Sequence, residues 1–332
     1  MDAIKTRAEK AIHEKVFPGC VIGLLAKGKT HMAAFGREKY HSDSPKVTVD
    51  TLYDVASITK SVPTATLALQ LIDAGEIALD DKLIKYIPEY RTKYRDEVLI
   101  QHLLTYTLGN TAPLSSLALT TPDEIFEVVC TEEGNPPGTV FSYSNTPALL
   151  LGMVIERVLT TPLDRAAEER IFRPLRMTSS TYTPHGAAPT EVGIQDIVHD
   201  ESARVFSRAG RAVGHAGLFS TTPDLLNFCE TLLKNDEIVL SKEMIDQMTS
   251  NQIPNLDEQT GLGWELNQPW MGNRRSERTF GKTGFTGTSI VCEAERQIAI
   301  VILSNRTYPN RPADNSAINK FRSDVCDIVF QL

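Results

Sequence analysis

Ser57 and Lys60 stand three residues apart in the stretch Asp54-Val55-Ala56-Ser57-Ile58-Thr59-Lys60-Ser61. On a helix, side chains at i and i+3 lie on one face, one turn apart. A serine hydroxyl is a poor nucleophile at neutral pH, and a neighbouring amine of depressed pKa can take its proton. Ser57 also sits where a helix is expected to start, and unpaired backbone N–H groups there favour developing negative charge. One turn can therefore supply a nucleophile, a base and part of an oxyanion site. Ser-x-x-Lys is a short motif, however, and it needs partners from elsewhere in the chain.

Two further stretches offer them. In Pro137-Gly138-Thr139-Val140-Phe141-Ser142-Tyr143-Ser144-Asn145, Tyr143 and Asn145 project to one side of an extended loop. A phenol whose pKa is lowered by cations can relay protons, and an amide can bond a substrate carbonyl or hold a lysine. The plainer reading of Asn145 is a helix N-cap. In Gly281-Lys282-Thr283-Gly284-Phe285-Thr286-Gly287, the glycines permit close backbone approach by a ligand. Lys282 places a cation beside a substrate carboxylate or beside Tyr143. Its plainer reading is a solvated lysine on a Gly-rich sheet edge.

The elements that must position these residues are legible in outline. Residues 2 to 16 read as an amphipathic helix stopped by Pro18-Gly19. Apolar runs 21–26 and 31–35 around Lys27-Gly28-Lys29 read as a β-hairpin. A helix from Ile58 to about Ala74 follows, and Pro63 within it predicts a tight or bent first turn. From about 120 to 250 the pattern is helical, with segments opening at Pro122, Pro147, Pro162, Pro223 and Lys242. β character returns at 261–266, 278–283, 288–292 and 298–303, before a last helix over about 314–330. The expected fold class is α+β: an antiparallel sheet built from both chain ends (1–60 and 251–332), flanked by helices, with a mostly helical domain (61–250) inserted and Ser57 in the cleft between them.

Composition excludes several classes. The chain has 332 residues, 41% hydrophobic and 23% charged, with a net charge of -8 and a pI near 5.5. That acidity argues against a nucleic-acid partner. No apolar stretch spans a bilayer, and the N-terminus lacks the apolar core of a signal peptide, so as written the chain reads as cytoplasmic with no membrane partner. Cys20, Cys130, Cys229, Cys292 and Cys326 are odd in number and set in apolar surroundings, which reads as buried thiols rather than a disulfide framework. No metal-ligand or cofactor motif occurs.

In order, Ser57/Lys60, Tyr143/Asn145 and Lys282/Thr283/Gly284 resemble the motif trio of the serine β-lactamase and penicillin-binding-protein-like family. Tyr in the middle element is similar to class C β-lactamases and their esterase, amidase and peptidase relatives. The resemblance extends through "TLYDVASITKSVPT", "GEIALDDKLIKYIPEY", "QHLLTYT", "PGTVFSYSNTPALLLGMVIERV", "VGHAGLFSTTPDLLNF", "GLGWEL", "FGKTGFTGTSIV" and "AIVILSNRTYPNR". It implies the β-lactamase/transpeptidase-like fold and a serine hydrolase with Ser57 as nucleophile and Lys60 and Tyr143 as base and relay. It further implies Asn145 as a substrate contact, Lys282 as the third-motif cation, and the N–H groups of Ser57 and Phe285 as the oxyanion hole.

Two departures bear on substrate. Tyr106-Thr107-Leu108-Gly109-Asn110 stands where many relatives carry a His-Thr-Ser-Gly-Leu-like run, and Lys282 stands where esterase-like and amidase-like relatives have His. Lys282 inclines the reading toward an acidic substrate end. "VGHAGLFS" and "LSNRTYPNR" look closest to relatives associated with peptidoglycan-fragment turnover. His215, in the first of these, either faces the cleft or is a buried structural histidine. The expected substrate is a small acyl compound: an ester, a β-lactam or a peptidoglycan-derived D-amino-acid amide. The alternative is a penicillin-binding or ligand-sensing module that acylates without turnover. The sequence does not address oligomeric state.

Overall fold

The computed structural model describes residues 2–331 apart from Thr111 and Ser115. Helix α1 (Asp2–His13) leads into β1 (Gly19–Ala26) and β2 (Lys29–Gly36). Lys27 and Gly28 turn the hairpin with φ of 51° and 73°. Positive φ at both positions matches the strand twist. The short β3 (Tyr53–Asp54) delivers the chain to Ser57.

The middle of the chain is helical. It comprises α2 (Thr66–Asp73), α3 (Ile100–Leu104), α4 (Pro122–Thr131), α5 (Thr146–Leu159), α6 (Leu163–Ala167) and α7 (Glu201–Arg208). Strand β4 (Phe219–Ser220) then pairs antiparallel with β3. Helices α8 (Thr222–Lys234) and α9 (Lys242–Met248) precede β5 (Glu265–Leu266), β6 (Thr279–Thr283), β7 (Ser289–Glu293), β8 (Ile298–Ser304) and the last helix, α10 (Ser316–Val329).

The main sheet has six strands in the order β2-β1-β8-β7-β6-β5, and every neighbouring pair is antiparallel. Its central register joins the two chain ends, with Cys20 opposite Ser304 and Ala26 opposite Ile298. Alternation along the strands sends side chains into two cores. Val21, Leu25, Val301 and Leu303 face the core that runs on into the helical region. Ile22, Leu24, Ile300 and Ile302 face the core covered by α1 and α10. Both faces are covered, so β1 and β8 are apolar almost throughout. The antiparallel sheet from both ends with flanking helices is the expected fold class.

Two local expectations are corrected. Residues Lys60–Ala65 form a π-helical turn rather than a tight one. Proline has no N–H and its ring crowds the carbonyl four residues back; the widened turn instead lets Thr66 N–H donate to Ser61 O. Helix α8, placed by the expected division in the helical segment 61–250, packs on β1, β7 and β8. The fit is close: a Cβ at Gly23 would meet Leu226 Cδ1 at 2.8 Å. The five cysteines are buried and unpaired. Among the described residues no single helix is long and apolar enough to cross a membrane.

Candidate active site

The approach to Ser57 is held from several sides. Ala56 adopts φ 52°, a left-handed conformation uncommon outside glycine. Asp54 stabilises that turn by accepting from Ala56 N–H at 2.8 Å. Its other carboxylate oxygen accepts from the His199 backbone N–H at 2.8 Å and lies 3.0 Å from His199 Nδ1. The 284–288 turn is tied to the same segment: Thr286 Oγ1 donates to Asp54 O at 2.7 Å and Thr288 Oγ1 to Val55 O at 3.0 Å. Gly284 is required there, because a Cβ would meet Thr288 Oγ1 at 2.0 Å and Val55 O at 2.4 Å. The N–H groups of Ser57 and Phe285 have no acceptor among the described residues, so both remain available as donors.

Lys60 is buried, and its Nζ donates to Ser57 Oγ at 3.0 Å and to the His215 carbonyl at 2.9 Å. Burial lowers its pKa; Lys282 adds to that, while Tyr143 and Asp200 oppose it. A lysine so placed holds its proton less firmly than an exposed one. Tyr143 lies over both cations, with Lys282 Nζ 4.5 Å and Lys60 Nζ 5.4 Å from its ring centroid. Burial disfavours the phenolate, but the charges of Lys282 and Lys60 outweigh it and bring the pKa below the usual tyrosine value. The residue as a whole is 45% exposed.

Lys282 brings in two residues that the sequence reading did not assign. Its Nζ is 3.2 Å from Glu265 Oε1 and 3.4 Å from the Tyr106 hydroxyl. Burial alone would lower its pKa; Tyr106, Tyr143 and Glu265 together raise it well above the usual lysine value. Lys282 is fully buried and already paired with Glu265, and of its two expected positions the structure shows the one beside Tyr143. Tyr106 sits at φ 56° and packs on Tyr143 at 5.0 Å between centroids. Burial pushes its hydroxyl up to about 12, against the pull of Lys282. Two tyrosines on one ammonium are thus driven apart in pKa. Glu265 lay within "GLGWEL" and Tyr106 within "QHLLTYT", but nothing local connects either to Lys282.

Asn145 occupies the N-cap position of α5 yet makes no side-chain cap hydrogen bond. Its Nδ2 donates to Asp200 Oδ2 at 3.1 Å, so the capping reading gives way to a bond across the cleft wall. Asp200 caps α7 through Ala203 N–H and lies 3.2 Å from His215 Nε2. His215 is fully buried and burial keeps it neutral; its carbonyl, not its ring, reaches Lys60. Thr283 ends β6 opposite Ser289. Phe285 is partly exposed, stacks on His199 and lies beneath Arg306 and Arg311.

Among the described residues no group of three His, Cys, Asp or Glu side chains can hold a metal. A groove of about 470 Å³ lined by Tyr40, His41, Val192 and Tyr308 contains none of the Ser57 group. Ser57, Lys60 and Tyr143 are grouped apart from that groove. The group can remove a proton from a serine hydroxyl, and two N–H groups remain free beside it.

An antiparallel sheet flanked by helices, with a serine hydroxyl accepting from a buried lysine, fits an enzyme of the serine-hydrolase class. The Beta-lactamase family profile matches residues 4–322, and the chain belongs to that family. A relative from Escherichia coli K12, named "Putative D-alanyl-D-alanine carboxypeptidase", is 30% identical over 311 residues, covering 79% of this chain and 71% of the relative. The octameric penicillin-binding protein homologue from Pyrococcus abyssi superposes with a TM-score of 0.76 at 25% identity, over 93% of this chain and 75% of that one. A class C beta-lactamase mutant gives 0.80 at 19% identity over 100% and 97% of the two chains, a likeness of fold.

Proposed function

We propose that this protein cleaves an ester, a β-lactam or a D-amino-acid amide through an acyl-enzyme on Ser57. The observation that carries this reading is the Lys60 Nζ to Ser57 Oγ hydrogen bond of 3.0 Å, made by a buried amine whose pKa is lowered. Ser57 Oγ attacks the acyl carbonyl while its proton passes to the Lys60/Tyr143 pair. The tetrahedral oxyanion takes hydrogen bonds from Ser57 and Phe285 N–H, and donors of this kind contribute about 3 kcal/mol each in other hydrolases. Collapse expels the alcohol or amine, which receives the proton through Tyr143. Water, deprotonated by the same pair, then releases the acid and restores Ser57. Asn145 holds the acyl side of the cleft with an amide whose orientation Asp200 fixes. The relatives named as D-alanyl-D-alanine carboxypeptidases support the D-amino-acid amide within this class.

The test sets nitrophenyl butyrate, nitrocefin and a D-alanyl-D-alanine peptide side by side, with mass spectrometry of trapped adducts on wild type and Ser57→Ala. Turnover of at least one substrate and a mass increment confined to the Ser57 peptide are expected. Activity or labelling that survives Ser57→Ala defeats the assignment. A stoichiometric burst without turnover assigns the protein instead to acylation without release.

A further inference from the structure

Arg322, on α10, is 3% exposed; among the described residues it makes no ion pair within 4.0 Å, and the Glu265 carboxylate acts on it only from farther off. A guanidinium taken out of water without a counter-ion is unfavourable, so its retention calls for a reason. Its hydrogen bonds point to one. Nη2 donates to Gly284 O at 3.0 Å and to Thr288 O at 2.7 Å, and Nη1 to Asn319 Oδ1 at 2.8 Å. Nε has no partner, and the Trp270 ring lies 6.0 Å away. Burial, then the charge of Arg306, pushes its pKa down to about 9.

Gly284 C=O and Phe285 N–H belong to one planar trans peptide, where they point in opposite directions. Gly287 N–H also donates to that oxygen, at 3.1 Å; the two donors together fix the direction of the N–H, and the arginine alone adds a positive charge behind the carbonyl that draws electron density away from the N–H. The next carbonyl is gripped as well: Arg306 Nε donates to Phe285 O at 2.8 Å. The far side of the turn is fastened to the Ser57 segment by Thr286 and Thr288. We propose that Arg322 is a positioning residue for acyl transfer: its buried guanidinium aims and polarises the Gly284–Phe285 peptide so that Phe285 N–H meets the developing oxyanion. The inference rests on the acyl-enzyme reading of Ser57.

Arg322→Lys and Arg322→Gln are compared with wild type in three measurements. These are the pre-steady-state acylation rate with a nitrophenyl ester, inhibition by phenylboronic acid, and the thermal midpoint. The boronate becomes tetrahedral on Ser57 and places an anionic oxygen at the Phe285 N–H. Loss of one oxyanion donor slows hydrolases by about 100-fold or more; a misaimed donor is expected to slow acylation about tenfold. Boronate affinity should fall by a similar factor, with KM held within about twofold and the lysine variant intermediate. A purely structural arginine would lower the midpoint and leave acylation per folded molecule unchanged. Should the glutamine variant fail to fold, the lysine variant decides. Folded variants that acylate and bind boronate within twofold of wild type overturn the proposal. Wild type forming no Ser57 adduct would overturn the acyl-enzyme reading and this inference together, whereas an adduct in wild type with unaltered variants removes this inference alone.

Discussion

Replacing Lys282 by Met should move the pH dependence of acylation upward. The Lys282 nitrogen lies 4.5 Å from the Tyr143 ring centroid. Unit charges at about that separation in an effective dielectric of about 20 interact by roughly 4 kcal/mol. Two features reduce this: Tyr143 is 45% exposed, which admits screening by solvent, and Glu265 lies 3.2 Å from the same nitrogen and offsets part of its field. A rise in the Tyr143 pKa is the resulting expectation. The sign follows from the phenolate being the form that accepts the serine proton: a higher pKa leaves less of it at neutral pH. The kcat/KM profile for a nitrophenyl ester should therefore lose about 10- to 100-fold at pH 7 and recover at higher pH. Lys282→Arg, which keeps the charge, should displace the limb less. An unmoved limb in a folded Lys282→Met enzyme, or equal displacement by the arginine variant, would refute the electrostatic argument.

Gly284→Ala should abolish most acylation and lower the thermal midpoint, since the new Cβ would fall 2.0 Å from Thr288 Oγ1 and 2.4 Å from Val55 O; normal melting and rates would show that the 284–288 turn yields without consequence. His199 is a second probe: burial lowers its pKa but Asp54 raises it further, leaving it above the ordinary 6.5. A raised histidine pKa contributes stability that is fully present below about 6.5 and is lost as pH rises through the folded value. Stability against urea should accordingly fall with rising pH in this window, and His199→Gln should flatten that slope; an identical slope in the variant would contradict it. Asp200→Asn should leave Asn145 less firmly oriented while α7 stays capped, because asparagine also caps; a several-fold rise in KM for a D-alanyl peptide with little change in the far-ultraviolet circular dichroism spectrum is expected.

Much of the frame was legible because short-range signals carried it. Helix α9 begins where Ser241 accepts from Met244 N–H at 3.1 Å, as its position before Lys242 indicated. The buried strands 279–283, 289–293 and 298–304 fell within or beside the apolar runs. Pro63 misled, since a proline in a helical pattern does not say whether the turn tightens or widens. Helix α7 went unnamed: it is only eight residues long, and the Asp200 cap that opens it was not read. In the site, Ser57, Lys60 and Tyr143 meet as the motif order implied. Glu265, Tyr106, Asp200 and Arg322 did not stand out, because a carboxylate, a phenol or a guanidinium acquires its role from a partner far along the chain.

In the middle of the sheet β1 pairs with β8, Cys20 opposite Ser304, so an early strand waits for a late one during synthesis. Ser57 is made well before the Gly284–Phe285 peptide and the Arg322 guanidinium behind it. A chain synthesised only as far as β5 thus holds Ser57 without those surroundings, and the site assembles only once β6, β7, β8 and α10 have joined the sheet.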